Sequence, residues 1–157
     1  MSLPRWLERL LHWVLWLVRP KYLVGVFPIC IDDDERVLLI RKRLGASLGW
    51  QLPGGGKAYG VSFERTACNE LEEETGLHTD PERLRFVCTQ CVEENWDINI
   101  AYLVVACSGE VAVRDTLEIH EARWVPIVQA RTLLLPSHRP MLESALKAFY
   151  RWGYGFR

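Results

Sequence analysis

The chain has 157 residues, of which 49% are apolar and seven are tryptophans, so a single domain with a sizeable core is expected. A formal net charge of −1 gives no sign of the extensive basic surface that binding to a nucleic-acid polymer requires. Five cysteines, an odd number, do not form the paired framework of a small secreted protein, which favours a reducing cytoplasm.

The first predicted element is an amphipathic helix within residues 1–19. Tryptophan, leucine and valine side chains cover one wide face of the stretch from Leu3 to Val18, and the narrow opposite face is mostly basic. Sixteen helical residues reach only about 24 Å, less than the roughly 30 Å hydrocarbon core, so we expect no membrane span. Either the helix docks on the domain or on a second subunit of a homodimer, or it makes a peripheral contact with an anionic membrane. We expect docking, because most amphipathic stripes pack against a core.

Residues 20–157 are predicted to form the domain, which begins with two apolar strands separated by a turn. The first strand is apolar almost throughout, as expected of a strand buried on both faces. The second strand runs into the basic cluster Arg41, Lys42 and Arg43. Such a cluster is either solvated or recognises phosphate groups, and both interpretations stay open at this point.

The most informative stretch, residues 50–77, consists of a strand end, a glycine-rich loop and a helix rich in glutamate. Ser62 is a suitable N-cap for this helix, and Gly76 is a suitable C-cap. At about 100° per residue, a stripe of apolar side chains follows one side of the helix. The caps and the stripe together predict a helix that packs one face against the domain.

Three carboxylates of this helix, Glu70, Glu73 and Glu74, share an arc of about 100° at the edge of the apolar stripe, whereas Glu72 points away. Like charges at this spacing repel one another, and partial burial raises carboxylate pKa values. A hard divalent cation would relieve both effects. The alternative is a solvated acidic face, but in that case Glu72 should be the exposed side chain rather than the other three.

These residues resemble the signature of the Nudix hydrolases, G-x5-E-x7-R-E-U-x-E-E-x-G-U, in which U is a bulky aliphatic residue. Seven of its nine fixed positions are matched between Gly55 and Leu77. The departures are Val61, where the family has glutamate, and Asn69, where it has arginine. In the family those two residues pair and brace the loop against the helix. Because both charged residues are replaced, no unpaired charge is left behind. We therefore expect a different contact between loop and helix rather than an inactive site.

The resemblance implies an α/β fold, the αβα sandwich with a mixed β-sheet, over roughly residues 20–152, to which the N-terminal helix is an addition. It also implies hydrolysis, dependent on Mg²⁺ or Mn²⁺, of a pyrophosphate bond in a nucleoside diphosphate linked to another moiety, such as a nucleotide sugar. The metal ligands implied are Glu70, Glu73, Glu74 and the Gly55 carbonyl, and the basic residues placed near the phosphates are Arg41, Lys42 and Lys57.

Beyond the glutamate-rich helix, two strands are predicted around a polar turn that contains Trp96, which either stacks on a base or simply packs. A later loop resembles the family stretch in which a glutamate reaches over the metal site. Glu118 is the candidate, and Glu121 is the alternative. Either Glu70 or Glu118 is expected to accept the proton of the attacking water. A last amphipathic helix begins near Pro140.

Two functions are therefore carried forward. The first is a pyrophosphohydrolase that acts on a small nucleotide-type substrate in the cytoplasm, with peripheral membrane association if the N-terminal helix binds lipid. The second is a catalytically weak Nudix domain that serves as a nucleotide-binding or membrane-docking module, an alternative motivated by Val61, Asn69 and the tryptophan-rich N-terminus. The sequence does not identify which nucleoside diphosphate derivative is bound.

Overall fold

A computed structural model describes residues 4–18, 21–43, 49–93 and 96–152. The elements in chain order are α1 (Arg5–Val18), β1 (Leu23–Cys30), β2 (Arg36–Lys42), β3 (Trp50–Gln51), β4 (Gly55–Gly56), α2 (Phe63–Thr75), β5 (Leu84–Val92), β6 (Asp97–Val104), β7 (Ile119–Pro126), α3 (Ile127–Leu133) and α4 (Arg139–Trp152). Short 3₁₀ turns at Pro81–Arg83 and Pro136–His138 precede β5 and α4.

The strands form two sheets that meet through β1 and β2. A four-stranded mixed sheet has the order β4-β1-β6-β5, in which β1 runs parallel to β6 from Leu23↔Asp97 to Cys30↔Val104. A three-stranded antiparallel sheet has the order β3-β2-β7. An antiparallel bridge between Ile31 and Val37 joins the two sheets at the turn between β1 and β2.

Helices cover both faces of this strand layer. On one face, Ala67 and Leu71 of α2 pack into an apolar cluster that includes Val26 of β1. On the other face, Met141 and Leu142 of α4 belong to a second cluster with strand and α3 residues. β1 contributes to both clusters, because neighbouring side chains of a strand point to opposite faces. The predicted αβα sandwich with a mixed sheet is confirmed.

The ends of α2 follow the predicted capping. The Ser62 hydroxyl accepts a hydrogen bond from the Arg65 amide at 3.1 Å. Gly76 adopts the left-handed conformation at φ 76° and donates its N–H to the Glu72 carbonyl at 2.9 Å. Near its start, Glu64 accepts a 2.9 Å hydrogen bond from the Tyr102 hydroxyl of β6. These contacts set both the length of α2 and its rotation against the sheet.

α1 makes no extensive contact with the domain within the residues that the structure describes. A helix occupies Arg5–Val18, as expected, but its large apolar side chains are exposed, for example Trp6 at 67% and Trp13 at 66%. The expectation that α1 docks on its own domain is therefore wrong, because the sandwich already covers both sheet faces with α2, α3 and α4. In the described part of the chain no helix is long and apolar enough to cross a membrane.

Candidate active site

The glycine loop lies directly on the carboxylate side of α2. Glu70 is partly buried, and a Cβ atom added to Gly55 would come within 2.5 Å of a Glu70 carboxylate oxygen. Any side chain at position 55 would therefore displace that carboxylate. Gly55 pairs with Val26 across the β4–β1 ladder, which holds the loop backbone in place. Glycine at position 55 thus lets the Glu70 carboxylate lie directly against the loop backbone.

Glu74 ties the loop to the helix. The residue is 5% exposed, and its carboxylate accepts the Gly54 N–H at 2.7 Å. Gly54 has φ 146°, and a Cβ atom there would lie 2.4 Å from the Val26 carbonyl oxygen, so only glycine fits. Val61 is partly buried and Asn69 is exposed. In this chain the Gly54–Glu74 hydrogen bond links loop and helix.

Lys42 at the end of β2 is the basic group that the structure brings to these carboxylates. Its ammonium lies 3.6 Å from a Glu74 oxygen and 4.0 Å from a Glu118 oxygen. The Lys42 side chain is 28% exposed, so its charge is partly shielded from water. A cation here reduces the repulsion between the acidic groups.

The other two predicted phosphate-binding residues lie elsewhere. Arg41 projects from the opposite face of β2, where its guanidinium pairs with Glu121 at 3.2 Å and lies 5.5 Å from the Trp50 ring centroid. This difference follows from the alternation of side chains along a strand. The Lys57 ammonium contacts the Ala58 carbonyl and lies 5.4 Å from the Phe63 ring centroid. None of its described contacts is to a carboxylate of α2.

Two carboxylates of the site resist ionisation. Burial raises the pKa of Glu74 to about 8, although the Gly54 N–H and Lys42 both act to lower it. Burial also raises the pKa of Glu70, and the neighbouring Glu73 charge raises it further. Each pKa shift means that the anionic form costs free energy in the folded chain. A site of this kind favours the binding of a cation.

Glu73 rather than Glu72 is the more exposed carboxylate, which contradicts the expectation from the helical wheel. Glu72 is partly covered, because the Arg114 guanidinium contacts it at 3.0 Å and the His78 ring contacts it at 3.1 Å. His78 follows shortly after the end of α2, whereas Arg114 is distant in sequence. The helical wheel contained no information about which distant residues approach α2 from outside.

The donor chemistry fits a hard divalent cation. Glu70, Glu73 and Glu74 supply only oxygen atoms, as Mg²⁺ and Mn²⁺ prefer, and the Gly55 backbone lies against Glu70. Among the described residues, no three His, Cys, Asp or Glu side chains are already gathered tightly enough to hold a metal ion. All three residues therefore match the cation in donor type, but only Glu70 and Glu74 are at least partly removed from solvent, and Glu74 is engaged by Gly54 and Lys42.

The two candidate glutamates near the start of β7 lie in different surroundings. Glu118 donates its N–H to the Asp115 carboxylate at 3.2 Å and accepts the Arg43 N–H at its carbonyl at 2.7 Å. These bonds place its side chain beside Lys42, with 69% of that side chain exposed. Glu121 instead pairs with Arg41, away from α2. Glu118 is the loop glutamate on the carboxylate side.

Gln51 is a residue that the sequence reasoning missed. Its side chain is 8% exposed, and its buried Nε2 atom has no hydrogen-bond partner in the described structure. Gln51 pairs with Ile40 across the β3–β2 ladder, so both side chains leave the same sheet face. Lys42, two residues beyond Ile40, leaves that face too. The signal in the sequence was a polar residue between two apolar ones, Trp50 and Leu52, directly before the glycine loop. A buried polar side chain normally needs a hydrogen-bond partner.

The turn between β5 and β6 carries an aromatic pair. Trp96 has a positive φ of 56° and is 53% exposed. Its ring packs against Tyr22 at a centroid distance of 5.6 Å, and its carbonyl accepts the Leu23 N–H at 2.8 Å. The pair secures the start of β1, and the exposed ring area leaves the stacking hypothesis open.

Comparison with known proteins gives a consistent result. A protein-family model described as NUDIX domain matches residues 21–145. Among solved structures, a MutT NUDIX hydrolase from Burkholderia pseudomallei is 28% identical, with a TM-score of 0.68, and the match covers 79% of this chain and 98% of that one. The NUDIX domain of Shewanella oneidensis NrtR, solved with ADP ribose, is 20% identical, with a TM-score of 0.67, and the match covers 94% of this chain and 99% of that one, which shows a shared fold.

Curated relatives match over a shorter stretch. The RNA pyrophosphohydrolase of Saccharophagus degradans is 43% identical over 49 residues, which are 31% of this chain and 29% of that protein. A putative 8-oxo-dGTP diphosphatase of Bacillus subtilis is 40% identical over 57 residues, 36% of this chain and 37% of that protein. The matches thus span less than two fifths of either relative's length.

Proposed function

The chain belongs to the Nudix family, and from this we propose that it hydrolyses a pyrophosphate bond in a nucleoside diphosphate linked to another moiety, with Mg²⁺ or Mn²⁺ bound. The observation that carries the proposal is the pairing of the glycine loop with α2. Glu74 is buried against the Gly54 N–H at 2.7 Å and lies 3.6 Å from the Lys42 ammonium. Buried carboxylates beside an accessible cation suit the binding of a metal and a phosphate together.

Glu70, Glu73, Glu74 and the Gly55 carbonyl would hold the metal. When bound, Mg²⁺ or Mn²⁺ neutralises phosphate oxygens and lowers the pKa of a coordinated water. The burial that raises the pKa of Glu70 and Glu74 favours this partnership, because a cation removes the free-energy cost of their ionised forms. The Glu70 contact with Gly55 would keep loop and helix donors on the same side.

Lys42 would bind the substrate's diphosphate. Its ammonium already lies among acidic groups at the end of β2, where it can exchange a carboxylate partner for a phosphate oxygen. Gln51 leaves the same sheet face, and we propose that its unpartnered amide donates to the substrate's diphosphate. Arg41 and Lys57 remain predictions as substrate ligands, since neither is described in contact with the carboxylates of α2.

We assign acceptance of the water proton to Glu118. Glu70 lies against Gly55 and belongs to the metal set, whereas the exposed Glu118 carboxylate reaches Lys42 at 4.0 Å from a loop outside α2. Glu118→Gln should therefore lower kcat by about 10²- to 10⁴-fold and remove the acidic limb of the pH–rate profile. Glu121→Gln is the matched control, because that carboxylate pairs with Arg41 on the other face. Equal effects of the two variants would contradict the assignment.

A second candidate is a nucleotide-binding module with little turnover. The observation that favours it is the absence of the family's Glu–Arg brace, because Val61 and Asn69 cannot form an ion pair. In the structure Val61 is partly buried and Asn69 is exposed. Both candidates require the same carboxylates of α2 and the same recognition of a diphosphate by Lys42. They differ only in whether the bound water is activated.

A substrate panel separates the two candidates. The full chain would be incubated with Mg²⁺ or Mn²⁺ and with ADP-ribose, 8-oxo-dGTP, a nucleotide sugar or a 5′-triphosphorylated RNA oligonucleotide, chemistries suggested by the family and its relatives. Release of a nucleoside monophosphate or phosphate, abolished in Glu70→Gln, supports the hydrolase. Binding measured by calorimetry without any release would support the module, and neither binding nor release would overturn both proposals.

A further inference from the structure

The surface of α1 is dominated by exposed apolar side chains. Eight large apolar residues of this helix are between 42% and 67% exposed: Trp6, Leu10, Leu11, Trp13, Val14, Leu15, Trp16 and Leu17. No element in the described ranges packs extensively on the helix. A contiguous apolar surface of this kind on a folded domain marks a site of interaction.

The polar residues of α1 occupy a narrow strip. At about 100° per residue, Arg5, Glu8, Arg9 and His12 fall within an arc of roughly 100°, and nearly all of the remaining circumference is apolar. The exception is Trp16, which lies within the polar strip. Its ring is covered by the Lys21 ammonium at 3.7 Å from the centroid. The helix is thus amphipathic, with cations bordering the apolar face.

Charge and composition indicate what this face binds. Arg5, Arg9 and Lys21 accompany a single acidic residue, Glu8, although the whole chain has a formal charge of −1. The rest of the chain is therefore acidic, and positive charge is concentrated beside the apolar face. Tryptophan is enriched at the boundary between lipid and water, where its ring is half in an apolar environment. Anionic lipid complements both features.

A second copy of the chain fits α1 less well. The helix has 14 residues, or two heptads, whereas a coiled coil is recognised by at least three or four heptads. The apolar arc also extends well beyond the narrow seam that such pairing would bury.

We propose that α1 is an interfacial anchor, which lies flat on an anionic lipid bilayer with its apolar face buried among the lipids. At about 1.5 Å per residue, the helix is roughly 21 Å long and lies in the plane of the membrane rather than across it. The proposal is independent of the hydrolase activity, which uses other residues.

The start of the domain extends the proposed contact. Leu23, the first residue of β1, is 74% exposed, and the Tyr22–Trp96 pair lies beside it. The Leu23 N–H donates to the Trp96 carbonyl at 2.8 Å, so these side chains are held at one end of the sheet. They present further apolar area directly after Lys21, whose ammonium lies over the Trp16 ring of α1. This end of the sandwich is the part that meets the membrane.

Co-sedimentation of the full chain with vesicles tests the proposal. Vesicles of phosphatidylcholine alone would be compared with vesicles containing about one third phosphatidylserine, at low and high salt. The bound fraction should require the anionic lipid and fall with salt. Tryptophan fluorescence should shift to shorter wavelength on binding. Partition should weaken at least tenfold in the double variant Trp13→Ser with Leu17→Ser.

Val128→Ser is the matched control, because Val128 is 77% exposed but lies on α3. It should bind vesicles like the natural chain, and all variants should keep the same hydrolase activity in the absence of lipid. If the full chain does not bind the anionic vesicles, or if the α1 variant binds them equally, the proposal is overturned. A concentration-dependent dimer that the α1 variant abolishes, without vesicle binding, would show that a second copy covers this face instead.

Discussion

α1 and α2 depart from the usual pattern of burial in opposite directions. α1 exposes eight large apolar side chains, including three tryptophans, whereas α2 buries Glu74 to 5% exposure and partly buries Glu70. In α2, Lys42 and the Gly54 N–H contact the buried Glu74 carboxylate and partly offset the cost of burying its charge. In α1, no described element of the chain covers the exposed apolar side chains.

The difference teaches how a departure from the burial pattern is interpreted. A buried charge that the chain itself holds in place with specific donors is organised for chemistry inside the domain. An exposed apolar helix without a partner in the same domain is organised for a surface outside it. The four predictions below test this contrast, from the largest expected effect to the smallest.

Loss of the buried carboxylate on α2 should have the largest effect. Glu74→Gln removes a proposed metal ligand, and we expect turnover to fall by about 10²- to 10⁴-fold, because metal binding and phosphate positioning both suffer. Glu72→Gln is the control on the same helix, since Glu72 contacts Arg114 and His78 instead. Steady-state kinetics with saturating Mg²⁺ would measure both. Comparable losses in the two variants would remove the distinction between the two sides of α2.

The same substitution should stabilise the metal-free protein at alkaline pH. The folded-state pKa of Glu74 is about 8, above its ordinary value near 4.5. The natural chain therefore has its full free energy of unfolding below pH 4.5, where Glu74 is neutral in both states. That free energy falls as the pH rises through 8, because the carboxyl group must then ionise while buried. Burial is the main cause of this pKa shift; the Gly54 N–H and Lys42 reduce the shift, and the Glu70 charge adds to it. Urea unfolding in a chelator should show Glu74→Gln gaining up to about 4 kcal/mol over the natural chain between pH 5 and 9. Parallel pH profiles for the two proteins would contradict the burial argument.

His138 offers a buried group whose pH effect has the opposite sign. Burial lowers its pKa to about 4, with a smaller contribution from the Lys42 charge, and its Nδ1 accepts the Leu52 N–H at 3.3 Å. Its contribution to stability is full above the ordinary pKa of 6.5 and is lost as pH falls toward 4, by about 3 kcal/mol. His138→Asn keeps an acceptor but cannot be protonated. Unfolding measured between pH 7 and 4 should therefore be flatter in this variant, and an unchanged slope would exclude His138 as the cause.

Substitutions on α1 should have the smallest effect on the domain. Trp13→Ser should change the free energy of unfolding by no more than about 0.5 kcal/mol, because the side chain is 66% exposed. Leu71→Ala on α2 should cost about 2–5 kcal/mol, because Leu71 is fully buried. Thermal or urea unfolding of both variants would show whether the two helices differ as described. A large loss for Trp13→Ser would mean that α1 packs on the domain after all.

Much of the site could be predicted from local sequence. The caps at Ser62 and Gly76, the apolar stripe through Leu71 and the carboxylates beside it all follow from a 3.6-residue period and from the properties of single residues. The glycine at position 55 also follows from the signature, whereas the requirement for glycine at position 54 comes from the contact with Val26 in the structure. Each of the predicted features depends on residues only a few positions apart, so the chain order contains the information.

What the tertiary structure decided depends on contacts between distant segments. The approach of Arg114 covers Glu72 and leaves Glu73 as the more exposed neighbour. The loop before β7 brings Glu118 to Lys42, a separation of 76 residues along the chain that no local periodicity encodes. The exposure of α1 likewise depends on tertiary packing, because α2, α3 and α4 cover the two faces of the strand layer. Helical period determines the direction in which a side chain points, whereas packing of the whole chain determines what it meets there.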